Sequence, residues 1–143
     1  MRFVLVHGSW HTGDCWDGVA GLLRDQGHEV VAPTLPGNGS GADVGVTMAE
    51  TAAAVVSVIE DRDWTDVVLV GHSFGGAVAM KFASLFPMKV ASLTLIEPAA
   101  FNLIPVQLAG TTFARAVRAS RAALHAGDPQ MAMQHFVDFW NGD

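Results

Sequence analysis

Apolar residues fall along this chain in two alternating rhythms. Phe3-Val4-Leu5-Val6 is an unbroken apolar run, and Val30-Val31-Ala32, Val67-Val68-Leu69-Val70 and most of residues 90–96 repeat the pattern. Short runs without polar alternation predict strands buried on both faces, as in a parallel sheet. Between them the apolar positions take helical spacing. Trp16, Val19, Leu22 and Leu23 predict a helix that begins near Asp14, an acceptable N-cap, and closes at Gly27 in a left-handed conformation. Thr47-Met48-Ala49-Glu50 has the spacing of a capping box, and Ala49, Ala52, Ala53, Val56 and Ile59 then share one face. A helix over 77–86 is stopped by Pro87.

Strands alternating with helices at these lengths predict an α/β domain: a mostly parallel sheet with flanking helices and right-handed crossovers. Working loops in such sheets lie beyond the carboxyl ends of the strands. Residues 7–10, 33–39, 71–75 and 97–98 all fall there and are expected to face one crevice. Residues 1–100 carry this pattern, and residues 101–143 read as helices. One is expected over 106–124, with Phe113, Val117 and Leu124 inside and Arg115, Arg118 and Arg121 outside. Asp128-Pro129 opens another, carrying Met131, Phe136, Phe139 and Trp140 and ending at Asn141-Gly142.

Composition narrows the function classes. At 143 residues, half of them apolar, the chain can bury a sizeable core and is not disordered. A net charge of −6 argues against a nucleic-acid surface. The early apolar run is too short for a signal-peptide core or a membrane span. One cysteine, Cys15, permits no internal disulfide and fits a cytoplasmic setting. There is no internal repeat or long linker.

The candidate chemistry lies at Gly71-His72-Ser73-Phe74-Gly75. An apolar strand before this pentapeptide and a helix after it supply the context that makes G-x-S-x-G a nucleophile elbow. The turn is too sharp for ordinary side chains at the two glycines, and it lifts a single hydroxyl to the N-terminus of a helix, where developing negative charge is favoured. The plain alternative is a glycine-rich turn with a solvated Ser. Ser73 is the candidate nucleophile.

The histidines add no second centre. His7 and His11 sit on a loop without the Glu of a metalloprotease motif, so no metal or cofactor is implied. His7 is expected to hydrogen-bond its own loop, His72 to pack with its side chain turned from that of Ser73, and His28 to lie at the surface or a strand start.

FVLVHGSW, the APTLPGNG loop and VVLVGHSFGG, in this order, resemble the α/β-hydrolase superfamily, and within it the small serine esterases grouped with plant methylesterases and hydroxynitrile lyases. The resemblance covers residues 3–100 with strong motifs. It implies acyl transfer to Ser73 from a small carboxylic ester, with the backbone N–H groups of Ser9 and Phe74 as the oxyanion hole. Trp10 is the alternative second donor, and Gly8, Trp10 and His72 are candidate pocket residues. The resemblance also implies a helical lid over residues 101–143. It departs from the superfamily after Ser73, where the triad should continue with an acid and then a His. His125 and His135 lie in stretches that read as helices. Glu97 ends a strand where some relatives place an acid, although a carboxylate tying down the next segment is the plainer expectation.

The strand over 90–96 has no internal charge or Pro, which suits an interior strand better than an edge. The expectation is therefore that these residues form the N-terminal part of a longer hydrolase, ending within its lid and weakly active alone. The alternatives are a non-catalytic small-ligand module on the same fold, or a lyase or perhydrolase. Substrate identity and oligomeric state are not read from the sequence.

Overall fold

The computed structural model describes residues 1–39, 45–99 and 112–141. Four parallel strands, β1 (Arg2–Val6), β2 (Glu29–Val31), β3 (Val67–His72) and β4 (Val90–Ile96), form one sheet in the order β2-β1-β3-β4. The chain leaves β1 to one side for β2 and returns past it to β3. The carboxyl ends of β1 and β3 are therefore neighbours at the point where the strand order reverses, the usual place for a crevice in an open α/β sheet.

Helices α1 (Asp17–Asp25), α2 (Met48–Glu60) and α3 (Phe74–Leu85) complete the first unit, residues 1–100. Its core joins Val4 and Val6 of β1, Val67 and Leu69 of β3, Val55 and Ile59 of α2, and Val78 and Phe82 of α3, all fully buried. Leu5, on the opposite face of β1, is buried as well. The α2 capping box is present in both directions. The Glu50 amide donates to Thr47 Oγ1 at 3.2 Å, and the Thr47 amide to Glu50 Oε2 at 2.8 Å.

Several expectations need correction. The helix expected near Asp14 starts as a 3-10 turn (Gly13–Trp16) and becomes α1 only at Asp17. Its apolar face is largely uncovered. Leu22 is 68% exposed, Val19 is exposed too, and the fully buried residue is Ala20. In α2 the buried face is Thr51, Ala52, Val55 and Ile59, whereas Ala49 and Ala53 are exposed. With alanine on every side, the apolar periodicity of α2 does not point in one direction. Thr51 tolerates burial because its hydroxyl donates to the Thr47 carbonyl at 3.0 Å.

β4 spans residues 90–96 as expected. Among the described residues it is an edge, paired with β3 alone and exposed over residues 91–94.

The second unit, residues 101–143, contributes α4 (Thr112–His125) and α5 (Pro129–Asn141). The part of the expected helix over 106–111 lies outside the described residues. Arg115, Arg118 and Arg121 are exposed, as expected; Leu124 is exposed as well. Asp128 caps α5 by accepting from the Met131 amide at 2.9 Å, and Phe113 meets Phe139 edge-on with ring centroids 5.2 Å apart. No helix among the described residues is long and apolar enough to cross a membrane.

Candidate functional site

β3 ends at His72 and α3 begins at Phe74, so a single residue must turn the chain from strand into helix. Ser73 does so with φ 52° and ψ −119°. A residue with a side chain pays on the order of 1–3 kcal/mol for such a conformation, which persists only when its surroundings over-determine it. Here they do. The Ser73 N–H donates to the Ile96 carbonyl at 2.9 Å, and the Ser73 carbonyl accepts from Gly76 at 3.0 Å and from Ala99 at 2.9 Å.

The two glycines of the motif are required by close approach. A Cβ on Gly71 would lie 2.5 Å from the Gly75 carbonyl oxygen and 2.7 Å from the Gly76 Cα. One on Gly75 would run into the carbonyl oxygens of Val6 and His7. The start of α3 is thus pressed against the ends of β1 and β3 at once, with backbone as the obstacle in both cases.

A serine at a helix N-cap ordinarily turns its hydroxyl back to accept from an amide of the first turn. Ser73 makes no such bond, and among the described residues its hydroxyl has no hydrogen-bond partner. The strained backbone takes the side chain out of capping geometry and leaves its oxygen available.

The loop after β1 forms the facing wall. Gly8 is buried, and a Cβ there would come within 2.9 Å of His72 Nδ1 and 3.1 Å of Ser73 Cβ. The structure therefore brings Gly8, His72 and Ser73 together. The next residue, Ser9, is half-buried. Among the described residues neither the Ser9 amide nor the Phe74 amide donates to a protein acceptor. Both residues are half-buried, so these amides are available to donate to water or to a ligand. Trp10 follows with φ 62° and is 70% exposed. It occupies the third position of a turn closed by the His11 amide on the Gly8 carbonyl at 3.4 Å, a place where glycine is usual. The His11 ring stands 6.4 Å from that of His72.

Beneath this loop His7 is fully buried. The Leu35 amide donates to its Nε2 at 2.9 Å, and its Nδ1 lies 2.7 Å from the Gly8 carbonyl oxygen. An imidazole nitrogen that accepts from an amide carries no proton, so Nδ1 holds the hydrogen and donates to Gly8. Burial lowers the pKa of His7 below its ordinary value, with His11 adding to the effect while the Gly8 carbonyl and Asp14 oppose it. The expected bond from His7 to its own loop is present. The partner in the loop after β2 could not be read from sequence.

Glu97 directly follows β4 with φ 45° and is exposed. No hydrogen bond joins Ser73 to a histidine among the described residues, and no group there of three or more His, Cys, Asp or Glu could hold a metal ion. Separately, an open hollow of about 240 Å³ in the second unit is lined by Arg115, Ala119, His135, Asp138 and Phe139, among others. Sequence reasoning had not singled it out.

Comparison with known proteins identifies the family and the fold. Residues 3–141 match the model of the alpha/beta hydrolase family, and the chain belongs to that family. It is 41% identical over 99 residues to a carbendazim hydrolyzing esterase of Nocardioides sp., an alignment covering 67% of this chain and 41% of that protein. It is 35% identical over 100 residues to methylesterase 7 of Arabidopsis thaliana, covering 66% of this chain and 38% of the relative. Among solved structures, an extracellular alpha/beta-hydrolase from a Paenibacillus species superposes with a TM-score of 0.69 at 29% identity, over 90% of this chain and 53% of that one. The chain thus spans about two-fifths of the length of these two curated relatives.

Proposed function

We propose that this member of the alpha/beta hydrolase family carries the nucleophile and oxyanion hole of a carboxylic ester hydrolase. Ser73 Oγ attacks the carbonyl carbon of a small ester as its proton passes to a base supplied outside the described residues. The C=O electron pair moves onto the oxygen, to which the Ser9 and Phe74 amides donate. Collapse expels the alcohol, protonated by that base, and leaves an acyl-Ser73 ester that water hydrolyses. Gly8, Trp10 and His72 border the substrate. The observation that carries the reading is the hydroxyl of Ser73, which sits in a strained turn and has no hydrogen-bond partner among the described residues, next in the chain to the Phe74 amide and close to Gly8, which precedes Ser9. Donors fixed in advance need no reorganisation as charge develops, and losing one typically lowers the rate a hundredfold or more. The relatives named as an esterase and a methylesterase support the ester as substrate class.

The test is made on the protein expressed from the complete reading frame containing these residues. A fluorophosphonate probe is expected to label Ser73, and Ser73→Ala to abolish labelling and lower turnover of a small aryl ester by roughly ten-thousandfold or more. Turnover that survives the substitution overturns the proposal.

A second reading rests on one observation. Among the described residues no base is hydrogen-bonded to Ser73, and an unactivated hydroxyl is a poor nucleophile near neutral pH. A non-catalytic pocket for a small ligand would share this geometry. Ligand binding without labelling or turnover selects that alternative.

A further inference from the structure

Of the non-glycine residues at positive φ among those described, Trp10 carries the largest side chain. A bulky residue in that conformation is a genuine outlier, and glycine would be relaxed there. Burial repays little of the strain, because Trp10 is 70% exposed. Strain that packing does not repay is characteristic of residues that meet ligands. The residue also stands in the right place. It is the third member of the turn Gly8–His11, and both ends of that turn face the elbow. A Cβ on Gly8 would come within 3.1 Å of Ser73 Cβ, and the His11 ring stands 6.4 Å from that of His72. Two Cα steps, about 7.6 Å at most, separate Trp10 from Gly8.

We infer that Trp10 is a specificity-determining residue: its exposed indole is the platform on which a planar aromatic group of the substrate stacks. The inference rests on the esterase reading and narrows its substrate class to esters with an aromatic ring close to the carbonyl. The Ser9 amide, which receives the carbonyl oxygen in that reading, immediately precedes Trp10, so a ring attached near the carbonyl lies within reach of the indole. Offset-stacked or edge-on rings attract one another beyond the area they bury, an advantage that a saturated ring of similar size lacks. A cationic group is the poorer fit. It is best held by a cage of several rings, and the imidazoles of His11 and His72 at this turn can only add positive charge. The backbone strain at Trp10 is then the cost of presenting an indole where the turn by itself favours glycine.

The test uses the protein from the complete reading frame and two matched pairs of esters. Benzyl acetate against cyclohexylmethyl acetate varies the ring on the alcohol side; methyl benzoate against methyl cyclohexanecarboxylate varies it on the acyl side. Trp10→Asn removes the ring at a position whose left-handed backbone Asn tolerates. It is expected to lower the aromatic-to-saturated ratio of kcat/KM about fivefold to tenfold in one of the pairs, mainly through KM. The pair affected identifies the side of the ester that meets the indole. Trp10→Phe, which keeps a ring, should retain most of the ratio, and the denaturant midpoint of Trp10→Asn should be no lower than that of the wild type. Ratios unchanged in both pairs, or lowered equally by Asn and Phe, overturn the inference; a fallen midpoint beside unchanged ratios assigns the indole to packing instead. If Trp10→Asn does not fold, the Trp10 indole N–H signal of the Ser73→Ala protein decides. It should shift with the aromatic ester of one pair and not with its saturated partner, and no shift with either aromatic ester overturns the inference. Absence of Ser73-dependent turnover in the wild type would instead sink the esterase reading, while the signal of Trp10 in Ser73→Ala still reports on the platform.

Discussion

The sheet unit and the helical hairpin of α4 and α5 are stabilised in different ways. In the first, strands and helices converge on a shared interior: Val4, Val6, Val55, Ile59, Val67, Leu69, Val78 and Phe82 have no exposed surface. In the second, Ala132 is the buried apolar residue among those described. Among the contacts of the hairpin are an edge-on aromatic pair and a cap at Asp128. The difference separates local propensity from tertiary burial. Capping and apolar spacing mark the hairpin helices in the sequence, while among the described residues the sheet unit has the larger interior, the kind needed to hold a strained residue such as Ser73.

The largest effect expected from this contrast comes from one substitution made in both places. Gly75→Ala would drive a methyl group into the Val6 and His7 carbonyls. It should destabilise the protein by roughly 4 kcal/mol or more and abolish cooperative unfolding near room temperature. Gly127→Ala in the hairpin turn meets no atom within 4 Å and suffers only from φ +78°, about 1 kcal/mol. Denaturant midpoints check both, and similar losses would break the comparison.

Next in size is the removal of one aromatic ring from each unit. Phe82→Ala is expected to cost about 3–5 kcal/mol as a core truncation. Phe113→Ala should cost about 1 kcal/mol, because its ring is only half-buried. Equal midpoint shifts would mean that the hairpin has an interior equivalent to that of the sheet.

A third prediction concerns pH. Burial keeps the His7 imidazole below its ordinary pKa of 6.5, with His11 acting in the same direction and the Gly8 carbonyl and Asp14 against it. The unfolded chain takes up this proton near pH 6.5 and the folded chain resists it. The resulting stability is complete above that pH and falls as the pH drops through 6.5 toward the folded value, by at most about 1.4 kcal/mol per unit. Thermal midpoints measured from pH 7.5 to 5 should decline, and His7→Asn should flatten the decline. An unchanged slope in the variant refutes the assignment.

The smallest effect compares two helix caps. Thr47→Ala removes the hydroxyl half of the α2 box, leaving the residue 47 amide to donate to Glu50, and should lower global stability by about 1 kcal/mol. Asp128→Ala removes the cap of α5 and should instead quicken amide exchange within the hairpin while leaving the global midpoint nearly unchanged. A global loss from Asp128→Ala would show that the two units unfold as one.

Much of the fold was legible because three unbroken apolar runs and the mostly apolar stretch 90–96 mark the strands and Gly71 to Gly75 mark the turn. The capping box, the left-handed Gly27 and the Asp128-Pro129 start rest on local chemistry and were read correctly for that reason. Helix faces were read less well. Leu22 satisfies the period of α1, but periodicity shows which side could be buried and cannot show what covers it. Thr51 was missed because its burial depends on a hydroxyl bond one turn back. At the site, Ser73 stood out from its motif, and His7 was placed on its loop. The tie from His7 to Leu35 was hidden because a contact across 28 residues leaves no local periodicity. The positive φ of Trp10 was hidden too, since an aromatic residue is the last choice for that conformation.

The backbone bonds of Ser73 have one further consequence. Its N–H reaches Ile96 and its carbonyl receives Ala99, so the residue is bolted on both sides to the chain around the end of β4. Among the described residues β4 is also the strand with the least cover. The steadiness of the Ser73 hydroxyl is therefore borrowed from an edge of the sheet as described. A disturbance along that flank would be felt at Ser73 before Gly8 or His72 had changed.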